Sequence, residues 1–176
     1  MEYKIPSKYD GCSIQAVLIQ EFKMSHQLLI RLKRSGTVLK NGVPCWLREK
    51  VQPEDALIII IREELTQDIG AENIPLEIIF EDEHLLVINK SPGIVVHPTK
   101  GYKSGTIANA VIYYWRECEK NYVFRPVHRL DKDTSGVLVI AKNPYVQDLL
   151  TAQQASGQWK KYYLAVVSGE ILLSAG

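Results

Sequence analysis

The chain has 176 residues, room for one large domain or two small ones, and its 46% hydrophobic content excludes a disordered chain. A formal charge of +1 excludes overall basicity as a sign of a polyanionic partner, and the apolar run Ala56 to Ile61 is too short to span a bilayer. Met1 to Pro6 has no apolar signal-peptide core, so a cytoplasmic location is expected, and Cys12, Cys45 and Cys118 are too scattered for a metal-ligand pattern or a disulfide framework.

The first part of the chain is expected over residues 10–62. Ile14, Val17, Leu18 and Phe22 fall at helical spacing. Ser25 suits the cap of a second helix and Gly36 its stop. On that helix Leu28, Leu29 and Leu32 share one face, and Gln27, Arg31 and Arg34 share the opposite one. Thr37 to Lys40 reads as a strand, Asn41-Gly42 as a hairpin turn, and Ala56 to Ile61 as a closing strand. The charge is uneven: seven Lys/Arg (Lys23, Arg31, Lys33, Arg34, Lys40, Arg48, Lys50) stand against Glu49 alone, whereas acids dominate from Glu63 to Glu83. Two helices followed by short strands, with a basic helix face, fit a small RNA-binding module.

This segment resembles the S-four domain, an αL-type RNA-binding fold. Ser25, Leu28, Leu32, Gly36, Val38, Asn41, Gly42 and the strand after Asp55 carry the match. The resemblance implies RNA contacts from Lys23, Arg31, Lys33, Arg34 and Lys40. His26 stands where many members have Arg.

Residues 63–73 are acidic and polar with little apolar pattern and read as a linker. The second part, 74–176, opens at Ile74-Pro75. Leu76 to Phe80 and His84 to Asn89 read as strands around the acidic turn Glu81-Asp82-Glu83. Ser91-Pro92-Gly93 is turn chemistry, and Ile94 to Val96 is a short apolar run. Thr106 to Glu117 has helical patterning, with Ile107, Ala110, Val111 and Tyr114 on one side. Val137 to Ala141 reads as a strand, Pro144 to Gln154 as a helix, and Lys160 to Val167 as a strand. The pattern predicts an α+β fold whose sheets pair mostly antiparallel.

The string His128-Arg129-Leu130-Asp131-Lys132-Asp133-Thr134-Ser135-Gly136 is the chain's most informative feature. It sets Asp131 on a tight loop just before a buried strand, near Arg129 and Lys132. Nearby cations favour an ionised carboxylate, and a positioned carboxylate can act as nucleophile or base toward a sugar. A lone loop Asp also serves as a cap or an Asx-turn. Asp131 and Asp133 could form a glycosidase pair, but that chemistry needs roughly 5–10 Å between carboxylates across a sugar, which loop neighbours seldom achieve.

The string closely resembles the active-site motif of RluA-type pseudouridine synthases. Asn89-Lys90-Ser91-Pro92-Gly93-Ile94-Val95-Val96-His97-Pro98 resembles that family's first core motif, with Ser91 where Pro is commoner. Lys161 to Gly169 resembles its later Lys-x-Tyr-Leu-Ala strand, which aligns Tyr163 with the active-site tyrosine. The resemblance implies an isomerase that converts uridine in RNA to pseudouridine with neither metal nor cofactor. Asp131 would act on the ribose, Tyr163 would stack on the uracil, and Arg129 would help to extrude the target base. His128 reads as structural, bonding within the loop. Family members with such an N-terminal module often modify large-subunit ribosomal RNA, so RNA is the expected partner, ribosomal RNA in particular, and a membrane is not. The family's core continues into an Arg-Thr-His-Gln-Ile-Arg-like motif whose basic residue pairs with the catalytic Asp. Nothing after Gly169 resembles it. A partial catalytic domain is therefore expected, and the alternative reading is an inert RNA-binding remnant.

Overall fold

Side-chain alternation builds the first sheet. In β4 (Ala56–Ile60), Leu57 and Ile59 face inward and are buried, whereas Ile60 faces out. β4 pairs antiparallel with β2 (Thr37–Lys40), and on its other edge with β1 (Glu2–Lys4), giving the order β1-β4-β2-β3 with β3 at Val43–Pro44. The strand β1 lies upstream of the boundary expected from sequence, since three residues are too few to show alternation. The computed structural model describes residues 1–62 and 67–169.

Helices α1 (Ile14–Gln20) and α2 (His26–Ser35) cover this sheet. Each begins at a serine whose Oγ accepts a backbone N–H: Ser13 from Ala16 and Ser25 from Leu28. Ile14, Val17, Leu18, Leu28, Leu29 and Leu32 then meet Leu57 and Ile59 in one buried core. Asn41 and Gly42 both take positive φ (53° and 81°), as a tight two-residue hairpin demands. Gly36 ends α2 for a different reason from a left-handed cap. Its φ is −86°, but a Cβ there would lie 2.7 Å from the Leu32 carbonyl oxygen and 3.0 Å from that of Ile60.

The second sheet has the order β5-β6-β8-β7, all antiparallel. Its strands are β5 (Glu77–Glu81), β6 (Leu85–Lys90), β7 (Arg125–Pro126) and β8 (Gly136–Ala141). The mixed α+β architecture with two antiparallel sheets is the one predicted. The acidic turn is held by Asp82, whose Oδ1 accepts the backbone N–H groups of His84 and Leu85 at 2.7 Å. Beside it, buried Lys142 reaches Glu81 at 2.6 Å, and Glu81 also accepts the Tyr114 hydroxyl at 2.6 Å. Helix α3 (Ile107–Glu117) starts on a capping box between Thr106 and Asn109 and buries Ile107, Ala108, Val111 and Trp115 against Leu86, Ile88, Leu138 and Ile140.

Part of the stretch read as a linker is described, from Gln67 onward, and it packs onto this second core. Ile69 is buried there, the Gln67 side chain brackets Phe124 with two backbone bonds, and Asn109 donates to the Gly70 carbonyl. The hydrogen bonds are polar and link positions far apart in sequence, so no apolar periodicity announces them.

Helix α4 (Pro144–Ala155), capped by Asn143, matches its expected span. The strand expected at Lys160 to Val167 does not form. The segment is irregular and exposed, and no strand among the described residues pairs with it. A strand pattern in sequence specifies the face it would bury, but a lone strand leaves its backbone groups without partners.

Candidate active site

β6 and β8 converge at their ends on the pair Lys90↔Gly136. The Asp131 loop emerges from that junction. Lys90 closes β6 with its side chain fully buried, and its Nζ donates to the carbonyls of Ser91 and Lys132, each at 2.9 Å. The Lys132 carbonyl accepts a second bond, from the Gly93 N–H at 2.9 Å. Two segments quoted above as separate motifs are thus stitched together through one carbonyl oxygen, a single residue from Asp131. Within the loop, the Thr134 N–H returns to the Asp131 carbonyl at 3.2 Å, closing a turn.

The electrostatics follow from this burial. Desolvation pushes the Lys90 ammonium below its ordinary pKa, while Asp133 and Asp131 pull it back up. Both carboxylates therefore lie close enough to act on the buried cation. Asp131 itself is exposed, as are Arg129, Lys132 and Asp133. The loop presents its carboxylate to solvent from a fixed base. Lys132 turns to Tyr102, with Nζ 3.2 Å from the hydroxyl and 5.2 Å from the ring centroid.

His128 enters the loop half-buried. Its Nε2 faces the Val139 N–H at 3.4 Å, and its Nδ1 is buried with no partner among the described residues. Burial lowers its pKa, and Lys161 nearby acts in the same direction. The Trp159 ring meets His128 edge-on at 5.9 Å between centroids, and Trp159 Nε1 donates to Gln153 at 3.4 Å. The segment after α4 therefore passes the foot of the loop. Tyr163, two residues beyond Lys161, is 65% exposed, and no hydrogen bond or ring contact joins it to Asp131 or Arg129 among the described residues.

Lys90, Tyr102 and Trp159 were given no role by sequence reasoning. For Lys90 a signal existed: a lysine that ends an apolar strand immediately before a turn. Tyr102 and Trp159 meet the loop only through tertiary contacts, which leave no local pattern.

The basic residues of the first part do not form one cluster. Lys23 precedes α2 with φ 53°, while Lys33 and Arg34 occupy the last turn at its other end. Lys33 Nζ donates to Gln15 at 3.2 Å. Lys40 donates to the Lys50 carbonyl at 3.1 Å and lies 3.7 Å from Glu49. Arg31 is half-buried and Arg34 exposed. Among the described residues no group of three or more His, Cys, Asp or Glu could hold a metal ion, and no helix is long and apolar enough to cross a membrane.

The family model described as RNA pseudouridylate synthase matches residues 84–174, a span that contains both stitched segments from His84 through the Asp131 loop. Over 166 residues the chain is 40% identical to "Ribosomal large subunit pseudouridine synthase D" of Xylella fastidiosa, covering 93% of the chain and 50% of that protein. It is 35% identical over 158 residues to "Uncharacterized RNA pseudouridine synthase YjbO" of Bacillus subtilis, covering 89% of the chain and 56% of the relative. The solved structure of "Human RNA Pseudouridylate Synthase Domain Containing 4" superposes on 47% of the chain and 30% of its own, with TM-score 0.39 and 27% identity. The chain spans about half the length of the curated relatives it matches.

Proposed function

The chain belongs to the RNA pseudouridylate synthase family, and from that premise we propose that it isomerises uridine to pseudouridine in structured RNA, with Asp131 as the catalytic carboxylate. The observation that carries this reading is the seating of the Asp131 loop on Lys90. A carboxylate that must meet one carbon of a flipped nucleotide needs a loop that does not drift, and the bonds that Lys90 Nζ and the Gly93 N–H donate to the Lys132 carbonyl supply the anchor.

In the reaction the glycosidic bond breaks, the uracil turns, and a carbon–carbon bond forms to the same sugar. Substrate and product have the same atoms, so no co-substrate is consumed. Asp131 acts on the ribose, by adding to the anomeric carbon or by taking a proton from its neighbour. Arg129, exposed two residues before it, helps extrude or replace the target base. Flipping costs a few kcal/mol, which phosphate contacts and stacking offset. Tyr163 stacks on the uracil once RNA draws the segment after Trp159 toward the loop. Lys23, Arg31, Lys33, Arg34 and Lys40 of an S-four-like module hold the RNA by its phosphates. The relative from Xylella fastidiosa is named for the large ribosomal subunit, and ribosomal RNA is the substrate proposed here. That substrate would place the protein in the cytoplasm.

A second reading is an RNA-binding protein without catalysis. The exposure of Tyr163 favours it. The decisive experiment is pseudouridine formation on unmodified ribosomal RNA by the full chain and by Asp131→Ala. Product from the parent alone supports the isomerase. No product from either, with RNA binding intact in both, supports the second reading.

A further inference from the structure

A groove of about 650 Å³ opens on the first part, far in sequence from the Asp131 loop, between the two helices and the strands that follow them. Its floor is apolar: Leu32, Val38 and Leu47 are buried there, and Gly36 adds no side chain. Trp46 stands at its edge with 73% of its surface exposed. Lys33 and Arg48, both exposed, are among the residues that line it.

We propose that this groove binds one unpaired RNA base, stacked on Trp46, with the flanking phosphates held by Lys33 and Arg48; the inference rests on the RNA reading given above. An apolar floor with one indole wall suits a flat π-face, and two cations at its margin suit the phosphates on either side. The local charge supports a polyanion. Glu49 is the only acid between Lys23 and Lys50, and it is engaged: one carboxylate oxygen accepts the Trp46 N–H at 2.7 Å and the other lies 3.7 Å from Lys40. The same bond fixes the backbone that carries the indole, which reduces the ordering left for RNA to impose. The uneven charge of this segment says nothing of Trp46, because a lone tryptophan in a loop has no periodicity.

The test measures binding by the full chain of two labelled RNAs, a stem with an unpaired loop and the same stem as a closed duplex. The variants are Trp46→Ala, Trp46→Tyr and Arg34→Ala. Trp46 is exposed, so its replacement leaves the core untouched, and circular dichroism checks this. The groove predicts that Trp46→Ala weakens looped RNA about tenfold, leaves duplex affinity unchanged, and is largely rescued by Trp46→Tyr. Arg34→Ala should weaken both RNAs alike and reduce the salt dependence. A Trp46→Ala protein that binds looped RNA like the parent overturns the base pocket while the RNA reading stands, as does an equal loss on both RNAs. A parent that binds neither RNA overturns the RNA reading and the pocket with it.

Discussion

The backbone N–H of Ser25 donates to Oδ2 of Asp148 at 2.8 Å, joining the cap of α2 to the body of α4 across 123 positions. Ser25 thus works in both directions, because its own Oγ accepts the Leu28 N–H. A second tie lies close by: the Tyr145 hydroxyl donates to the Phe22 carbonyl at 3.2 Å, and the Tyr145 ring packs against the first core. These contacts join the segment around α2 to α4. Asp148→Ala removes a charged acceptor from a half-buried amide and should cost about 1 kcal/mol in urea unfolding. Asp148→Asn, which keeps an oxygen acceptor, should lose less. Hydrogen exchange at the Ser25 amide should be faster in Asp148→Ala than in the parent; unchanged exchange would remove the bond from the account.

Gly36 makes a sharper steric prediction. A methyl at this position meets the Leu32 carbonyl oxygen at 2.7 Å and the Ile60 carbonyl oxygen at 3.0 Å, both backbone atoms of packed elements. Neither can rotate away, so α2 must shift from β4. Gly36→Ala should destabilise the chain by roughly 1–3 kcal/mol, as overpacking does. Thermal melting reads the loss, and a variant as stable as the parent would show that the helix end yields freely.

Much of this arrangement was legible in the sequence, and the reasons differ by element. Ser25, Thr106 and Pro144 mark helix starts because capping is local chemistry. Asn41-Gly42 marks the hairpin because few other pairs tolerate two positive φ values. The core strands of both sheets announced themselves by apolar runs. Where the reading failed, tertiary context decided. Lys160 to Val167 has strand composition, yet pairing requires a neighbouring edge, which composition cannot supply. β1 and β7 are three and two residues long, below the length at which alternation shows. At the candidate site, the string singled out Asp131 and Arg129, whereas the anchoring of the loop by Lys90 links positions 42 apart and only folding brings them together.

That anchoring can be tested apart from the chemistry. Lys90→Met keeps the apolar stem but removes the ammonium, leaving the Ser91 carbonyl without its donor and the Lys132 carbonyl with the Gly93 N–H alone. The cost should be about 1–3 kcal/mol of stability, the penalty for unsatisfied buried groups. Uridine isomerisation should fall further than stability does, because the loop loses its seat while Asp131 remains. RNA affinity should hold, since Lys90 is buried and offers nothing to a phosphate. Parallel measurement of urea unfolding, isomerisation and RNA binding separates the three. Equal losses in all of them would mean that Lys90 supports the fold generally and not the loop.

His128 gives the fold a pH dependence at the foot of the same loop. Its pKa in the folded chain lies below the ordinary 6.5, first because burial disfavours the imidazolium and then because Lys161 repels it. The unfolded chain therefore binds the proton more readily than the folded one. Stability is complete above pH 6.5 and falls as pH drops through that value toward the lower folded pKa. Thermal midpoints across pH 5 to 7.5 should decline on the acid side in the parent. His128→Asn, which carries no titrating group, should flatten that decline. Lys161→Gln should soften it, because one of the two causes is removed while burial remains. A parent curve that does not change below pH 6.5, or an His128→Asn curve that keeps the parent slope, would show that the imidazole titrates as it does in water.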